Sequence, residues 1–78
     1  MIYLDVRTKE EYDSGHIPES LHHDIMQMFE GIFPELSRDT EITVYCQSGN
    51  RSMMAKTLLE QAGFISVIDG GGIDAVEF

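Results

Sequence analysis

A single cysteine stands at the start of a short polar loop that could carry out chemistry. The loop follows an apolar stretch, precedes an amphipathic one, and has six residues: Cys46, Gln47, Ser48, Gly49, Asn50 and Arg51. A thiol placed before a helix faces unpaired backbone N–H groups and the positive end of the helix dipole, which favour the thiolate. We therefore predict that Cys46 is a nucleophile, with an inert buried thiol as the alternative.

The remainder of the loop is suited to binding an anion. Ser48, Gly49 and Asn50 are small or tolerate left-handed backbone conformations, so their N–H groups can turn inward as a nest. Arg51 adds a planar cation that fits oxyanions, in a chain with only five Lys and Arg residues. We predict one catalytic residue, Cys46, and a set of substrate-binding residues: Gln47, Ser48, Gly49, Asn50 and Arg51.

Strands and helices must alternate along the chain to position this loop. Residues 2–6 and 42–46 are apolar and largely β-branched or aromatic, which is typical of strands, and residues 65–68 predict a further short strand. Thr8 and Glu11 have the spacing of a capping box that opens a short helix. Residues 70–72 are three glycines, which predict a flexible turn.

Two further helices are predicted from apolar residues at helical spacing. The first begins at Asp24, is limited by Gly31 and Pro34, and has a buried face of Ile25, Met28, Phe29 and Ile32. The second follows the Cys46 loop, ends at Gly63, and has a buried face of Ala55, Leu58, Leu59 and Ala62.

This alternation predicts a single small α/β domain over residues 1–78, with a mainly parallel central sheet flanked by helices. Ligands of such sheets gather beyond the carboxyl ends of the strands, where Cys46 is placed. The sequence therefore predicts that the loop and the ligand-binding edge of the sheet coincide.

Composition and charge exclude several functional classes. The chain has 42% hydrophobic and 24% charged residues, typical of a globular protein, and no apolar run long enough to span a membrane. A formal charge of −9 argues against nucleic acid or an anionic membrane as partner. One cysteine cannot form an internal disulfide. We expect a cytoplasmic protein, or a periplasmic one if a leader has been removed.

Two sets of residues follow a recognisable order. The first comprises Asp5-Val6-Arg7, Glu11-Tyr12 and Gly15-His16-Ile17-Pro18. The second comprises Tyr45-Cys46, Gly49, Arg51-Ser52, Ala55, Leu58, Gly63-Phe64 and Gly71-Gly72. Together they resemble the two halves of the rhodanese signature, and the resemblance covers nearly the whole chain. The chain begins just before the first signature strand and ends soon after the glycine pair, and in this it is similar to minimal single-domain thiosulfate sulfurtransferases of the phage-shock protein E type.

The resemblance implies an α/β fold and a sulfurtransferase that works without metal or organic cofactor. Cys46 would take sulfane sulfur from a donor such as thiosulfate, carry it as a persulfide, and pass it to a thiol or cyanide, or to a protein acceptor. The chain departs from the family at Gln47, where thiosulfate-handling members often have a basic residue, and it has no tryptophan beyond the glycine pair.

Two other functions remain open. Phosphatases and arsenate reductases of the dual-specificity type have five residues between the cysteine and the arginine, whereas this loop has four, which favours sulfur over phosphorus. A sulfur-relay or binding module for a protein partner is the third hypothesis, and the acidic surface would suit a basic partner.

Other polar and sulfur-containing residues are interpreted structurally. Arg7 is predicted to form an ion pair near the base of the loop. His16 is predicted to be a turn residue, and His22 and His23 lack the additional ligands that a metal site needs. The methionines are predicted to fill the core or line a groove: Met26, Met28, Met53 and Met54.

Overall fold

A sheet of four parallel strands forms the centre of the computed structural model, which describes residues 1–78. The strands are β1 (Ile2–Asp5), β2 (Leu21–His22), β3 (Ile42–Cys46) and β4 (Val67–Gly72), arranged in the order β2-β1-β3-β4. Every pair of neighbouring strands is parallel. The predicted α/β fold with a mainly parallel sheet is confirmed.

Three helices connect the strands, α1 (Lys9–Asp13), α2 (Ile25–Phe29) and α3 (Asn50–Gln61), and a 3₁₀ turn (Ile73–Ala75) follows the last strand. The capping box that opens α1 is present, because Thr8 and Glu11 each accept a hydrogen bond from the other's backbone N–H. Asp24 caps α2 by accepting from the N–H of Met26. None of these helices is both long enough and apolar enough to cross a membrane.

The core lies where α2 and α3 pack against one another and α3 packs on β3 and β4. Ala55 and Leu59 of α3 are fully buried there, and Leu58 and Ala62 are partly buried, as their spacing predicts. A buried Leu or Ile contributes about 1.5–3 kcal/mol through the hydrophobic effect. The same packing therefore stabilises the fold and fixes α3 directly behind the Cys46 loop.

The buried face predicted for α2 is only half correct. Ile25 and Met28 are buried, but Phe29 is 49% exposed and Ile32 is 52% exposed. The helix ends at Phe29, and Gly31 then adopts a positive φ of 83°, which turns the chain out of the helical path. Ile32 consequently lies outside the helix and cannot continue its buried face.

The prediction for the last strand was also wrong in its bounds. Only Val67 and Ile68 of the predicted residues 65–68 belong to β4, and the three glycines continue the strand instead of forming a turn. A Cβ atom on Gly70 would lie 2.9 Å from the carbonyl oxygen of Val44, and one on Gly72 would lie 2.7 Å from that of Gln47. These glycines allow β4 to approach the end of β3 and the loop that follows it.

Candidate functional site

Cys46 is the last residue of β3, an inner strand of the sheet, and its loop leads directly into α3. Its side chain is completely buried, and Sγ accepts hydrogen bonds from the backbone N–H groups of Gly49 at 3.0 Å and Ser52 at 3.3 Å. The sequence therefore placed this thiol correctly, at the carboxyl edge of the sheet and the start of a helix. The sulfur lies in a cradle of donors suited to negative charge.

The loop conformation depends on Gly49. Its φ of 102° lies in the left-handed region, where a side chain would be strained, and this turn directs its N–H toward Sγ. A Cβ atom would also lie 3.6 Å from the backbone of Gly71 and Gly72. Gly49 and the β4 glycines thus hold the loop closely against the sheet.

Two opposing effects act on the pKa of the Cys46 thiol. Burial raises the pKa, but hydrogen bonds from Ser52, Gly49 and Ser48 lower it, and the net effect is a pKa below the ordinary value of 9.0. The thiolate is the nucleophilic form of cysteine. The cradle therefore favours the thiolate form of Cys46.

Arg51, the only cation of the loop, is bound to a carboxylate. Its Nη1 lies 2.6 Å from Oε1 of Glu11 and its Nη2 lies 2.9 Å from Oε2, while the two side chains remain 35% and 30% exposed, respectively. The hydrogen bond from Arg51 lowers the pKa of Glu11 to about 2, with help from Thr8 and against the effect of burial. The sequence predicts the capping role of Glu11 but not its contact with Arg51, which is 40 residues away in the sequence.

Arg7 contacts the loop and forms the ion pair that the sequence predicts, and the structure shows that this pair is buried. It is 3% exposed, its Nη2 lies 2.7 Å from Oδ2 of Asp5, and its Nη1 donates to Oε1 of Gln47 at 3.0 Å. The amide of Gln47 is therefore held by a residue that follows β1, although Gln47 itself is exposed. Ser48 and Asn50 are exposed, and their side chains make no hydrogen bond within the chain.

Ser52 and Asp69 also belong to the site, although their residue types and spacing predict no role for them. The Ser52 hydroxyl lies 2.7 Å from Oδ1 of Asp69 and 3.0 Å from the carbonyl oxygen of Gly49, and Asp69 also accepts from the N–H of Gly71 at 2.9 Å. This network ties the first turn of α3 to β4. The Arg51-Ser52 match to the rhodanese signature was the only sequence signal for it.

The histidines contact backbone carbonyl groups. Nδ1 of His16 lies 2.9 Å from the carbonyl oxygen of Tyr12, Nε2 of His22 lies 2.7 Å from that of Arg7, and Nε2 of His23 lies 2.8 Å from that of Ile32. No group of three or more His, Cys, Asp or Glu side chains is arranged to hold a metal ion. These rings support turns around the sheet.

Comparison with known proteins gives consistent matches. The family model described as "Rhodanese-like domain" matches residues 1–75. The chain is 41% identical over 66 residues to "Putative sulfur carrier protein YrkF" of Bacillus subtilis, covering 85% of this chain and 35% of that protein. It is 28% identical over 72 residues to "Thiosulfate sulfurtransferase PspE" of Escherichia coli, covering 91% of this chain and 69% of that protein.

A solved structure agrees with these sequence matches. The structure described as "rhodanese with anions from E. coli" superposes with a TM-score of 0.87 at 26% identity, covering 99% of this chain and 92% of that one. The chain spans about a third of the length of YrkF and about two thirds of PspE. The predicted resemblance is confirmed at the level of the domain.

Proposed function

Because the chain belongs to the rhodanese-like domain family, we propose that it is a sulfurtransferase in which Cys46 carries sulfane sulfur as a persulfide. The observation that carries this proposal is the pair of backbone N–H groups, from Gly49 and Ser52, that point at Sγ. They lower the pKa of the thiol, and they can also stabilise the negative charge of a persulfide.

In the first half-reaction the Cys46 thiolate attacks the outer sulfur of a donor such as thiosulfate. A bond forms between Sγ and that sulfur, the sulfur–sulfur bond of thiosulfate breaks, and sulfite leaves with the electron pair. Cys46 is 0% exposed, so a donor reaches Sγ only after the atoms around it rearrange. The remaining residues of the loop, Gln47 to Arg51, bind the donor in this proposal.

Arg51 is the principal residue that binds the anionic donor in this scheme. Glu11 occupies only two of the five N–H groups of the guanidinium, so the others can donate to a sulfonate oxygen of thiosulfate. Glu11 nevertheless cancels much of the charge, and Arg7 is likewise paired with Asp5. The site therefore attracts a dianion less strongly than two free cations would.

In the second half-reaction an acceptor attacks the outer sulfur of the persulfide. A cyanide ion or a thiolate forms the new bond to sulfur, and the electron pair of the broken sulfur–sulfur bond returns to Cys46 as the thiolate. No metal ion or organic cofactor takes part in either step. The two half-reactions share one nucleophile, so we expect ping-pong kinetics.

Intact-mass spectrometry after incubation with thiosulfate tests this proposal directly. We expect one added sulfur on the chain, its loss on addition of cyanide, and no added sulfur on the Cys46→Ser variant. Absence of the added sulfur with both thiosulfate and a polysulfide donor would overturn the proposed reaction.

A sulfur-relay role is the second candidate, and a specific observation favours it. YrkF, named as a sulfur carrier, matches this chain at higher identity than PspE. A relay uses the same persulfide but delivers it to a protein. The two roles differ in whether cyanide or a protein thiol removes the sulfur faster.

A further inference from the structure

An apolar groove lies beside the Cys46 loop, between α2 and α3. It has a volume of about 480 Å³ and is lined by Phe29, Met53, Met54, Thr57, Leu58 and Gln61. We call it the methionine groove. One side of α3, from Met53 to Gln61, and Phe29 at the end of α2 form its walls.

Three apolar side chains of the methionine groove are about half exposed. Met53 is 59% exposed, Met54 is 48% exposed and Phe29 is 49% exposed. No segment of residues 1–78 covers them. Contiguous exposed apolar surface of this kind is typical of sites that bind another molecule, and methionine side chains adapt readily to different partners.

The methionine groove begins on α3 directly after the residues that hold the sulfur of Cys46. Ser52 donates its backbone N–H to Sγ of Cys46, and the next two residues along the same helical turn are Met53 and Met54. A molecule seated in the groove therefore lies beside the loop that holds the sulfur. Cyanide and thiosulfate are too small and too polar to need such a surface, whereas a protein side chain would fill it.

The charge of the chain restricts what can occupy the groove. The formal charge is −9, and four of the five basic side chains are already paired with carboxylates of the chain: Arg7, Lys9, Arg51 and Lys56. The fifth, Arg38, lies over the ring of Phe64. A second copy of this acidic chain would be repelled, and a basic partner would be attracted.

We propose that the methionine groove docks a protein sulfur acceptor, through a segment with an apolar side chain, flanking basic residues and a thiol that reaches Cys46. This inference rests on the proposed persulfide chemistry. The partner's thiolate forms a bond to the outer sulfur of the persulfide, and the bond between that sulfur and Sγ breaks and returns its electron pair to Cys46. The groove supplies affinity, and the loop supplies the sulfur.

Synthetic peptides provide the test. The reference peptide carries one cysteine, two leucines and four lysines; one matched peptide has glutamates for the lysines, and another has serines for the leucines. Affinity is measured with the full chain by fluorescence anisotropy of the labelled peptides, and the site of binding through the ¹³C-methyl signals of the methionines. Neither readout depends on sulfur transfer. Transfer is followed as loss of the added sulfur from persulfide-loaded chain, with cyanide as the small acceptor.

We expect the reference peptide to shift the Met53 and Met54 methyl signals and to leave that of buried Met28 unchanged. We expect about tenfold weaker binding for each matched peptide and for a Met53→Gln, Met54→Gln double variant. The double variant should lose sulfur to cyanide at the parent rate. Ile65→Gln is the matched control, since Ile65 is 78% exposed and lies outside the groove.

Three outcomes would overturn the docking proposal. These are methyl shifts that spread over all the methionines, equal binding of the three peptides, or self-association of the chain that is lost in the double variant. A chain that shows the expected methyl shifts but never gains sulfur would overturn the proposed function and leave a binding groove. The two failures are therefore distinguishable.

Discussion

Glu11 holds Arg51 at two points, so the one cation of the Cys46 loop is neutralised by the residue that also closes the capping box of α1. A single carboxylate thereby links the first helix to the helix behind the nucleophile. This relationship sets the charge that an anionic donor meets. It also couples donor binding to the stability of α1.

Replacing the nucleophile gives the first prediction. Cys46→Ser should abolish sulfur transfer, because an oxygen atom cannot carry the persulfide. Its free energy of unfolding should lie within about 1 kcal/mol of that of the parent, because the change in volume is small. Transfer is measured as thiocyanate formed from thiosulfate and cyanide, and stability by urea unfolding. Transfer retained by this variant would exclude Cys46 as the sulfur carrier.

Removing Arg51 should affect the two half-reactions unequally. Arg51→Ala should lower the efficiency of thiosulfate by about ten- to hundredfold, equivalent to about 1.5–3 kcal/mol for a lost charge-assisted contact, and should change removal of sulfur from a formed persulfide much less. Stopped-flow measurements, or mass spectrometry of quenched samples, give the rates of the two half-reactions separately. Equal losses in both would indicate that Arg51 instead maintains the loop structure.

Glu11→Gln should have the opposite effect on the donor. The neutral amide keeps the shape of the side chain but no longer cancels the charge of Arg51, so the KM for thiosulfate should fall by about threefold to tenfold. Glu10→Gln is the control, since Glu10 is an exposed residue of the same helix and forms no ion pair with Arg51. A higher KM in Glu11→Gln alone would show that Glu11 is needed to orient Arg51.

The same carboxylate gives a prediction for acid stability. The pKa of Glu11 falls from 4.5 to about 2 on folding, so the ion pair stabilises the folded chain above pH 4.5, and this stabilisation disappears as the pH falls through about 2. Screening of these partly exposed side chains limits it to about 1 kcal/mol. The free energies of unfolding of the parent and Glu11→Gln should therefore differ at pH 7 and converge toward pH 2; a constant difference would contradict this.

The sequence was sufficient for the elements that depend on local pattern. The strand ending at Cys46, the capping box at Thr8 and the buried face of α3 all follow from residue type and spacing, and the structure contains each of them. The parallel sheet follows from the alternation of strands and helices. Cys46 could thus be placed before the structure was known.

The parts that could not be predicted depend on contacts between distant segments. Glu11 and Arg51 are 40 residues apart, and nothing in either local pattern pairs them. From the sequence alone, the glycines of β4 predict a turn. Their actual role depends on the nearby backbone of Val44 and Gln47, which leaves no space for side chains. In this strand, packing against β3 and the loop outweighs the preference of consecutive glycines for a turn.

Gly72 provides a direct test of that packing. In Gly72→Ala the new Cβ would lie 2.7 Å from the carbonyl oxygen of Gln47 and 3.3 Å from Cα of Ser48, so the loop must move. We expect a loss of about 1–3 kcal/mol in stability and a larger fall in sulfur transfer than in Ile68→Ala, a change at an exposed position of the same strand. Unchanged transfer in Gly72→Ala would show that the loop tolerates displacement.

The length of the loop gives the last prediction, which separates sulfur from phosphorus chemistry. Four residues lie between Cys46 and Arg51, and the N–H groups of Gly49 and Ser52 already contact Sγ, so the cradle fits one sulfur atom closely. Inserting one glycine after Ser48 should enlarge the nest, depress sulfur transfer and permit weak hydrolysis of an aryl phosphate, with Arg51 stabilising the transition-state charge. The parent should hydrolyse p-nitrophenyl phosphate no faster than Cys46→Ser, under conditions in which thiosulfate loads Cys46. If the parent hydrolyses the ester and never accumulates a persulfide, the phosphatase hypothesis replaces the sulfurtransferase.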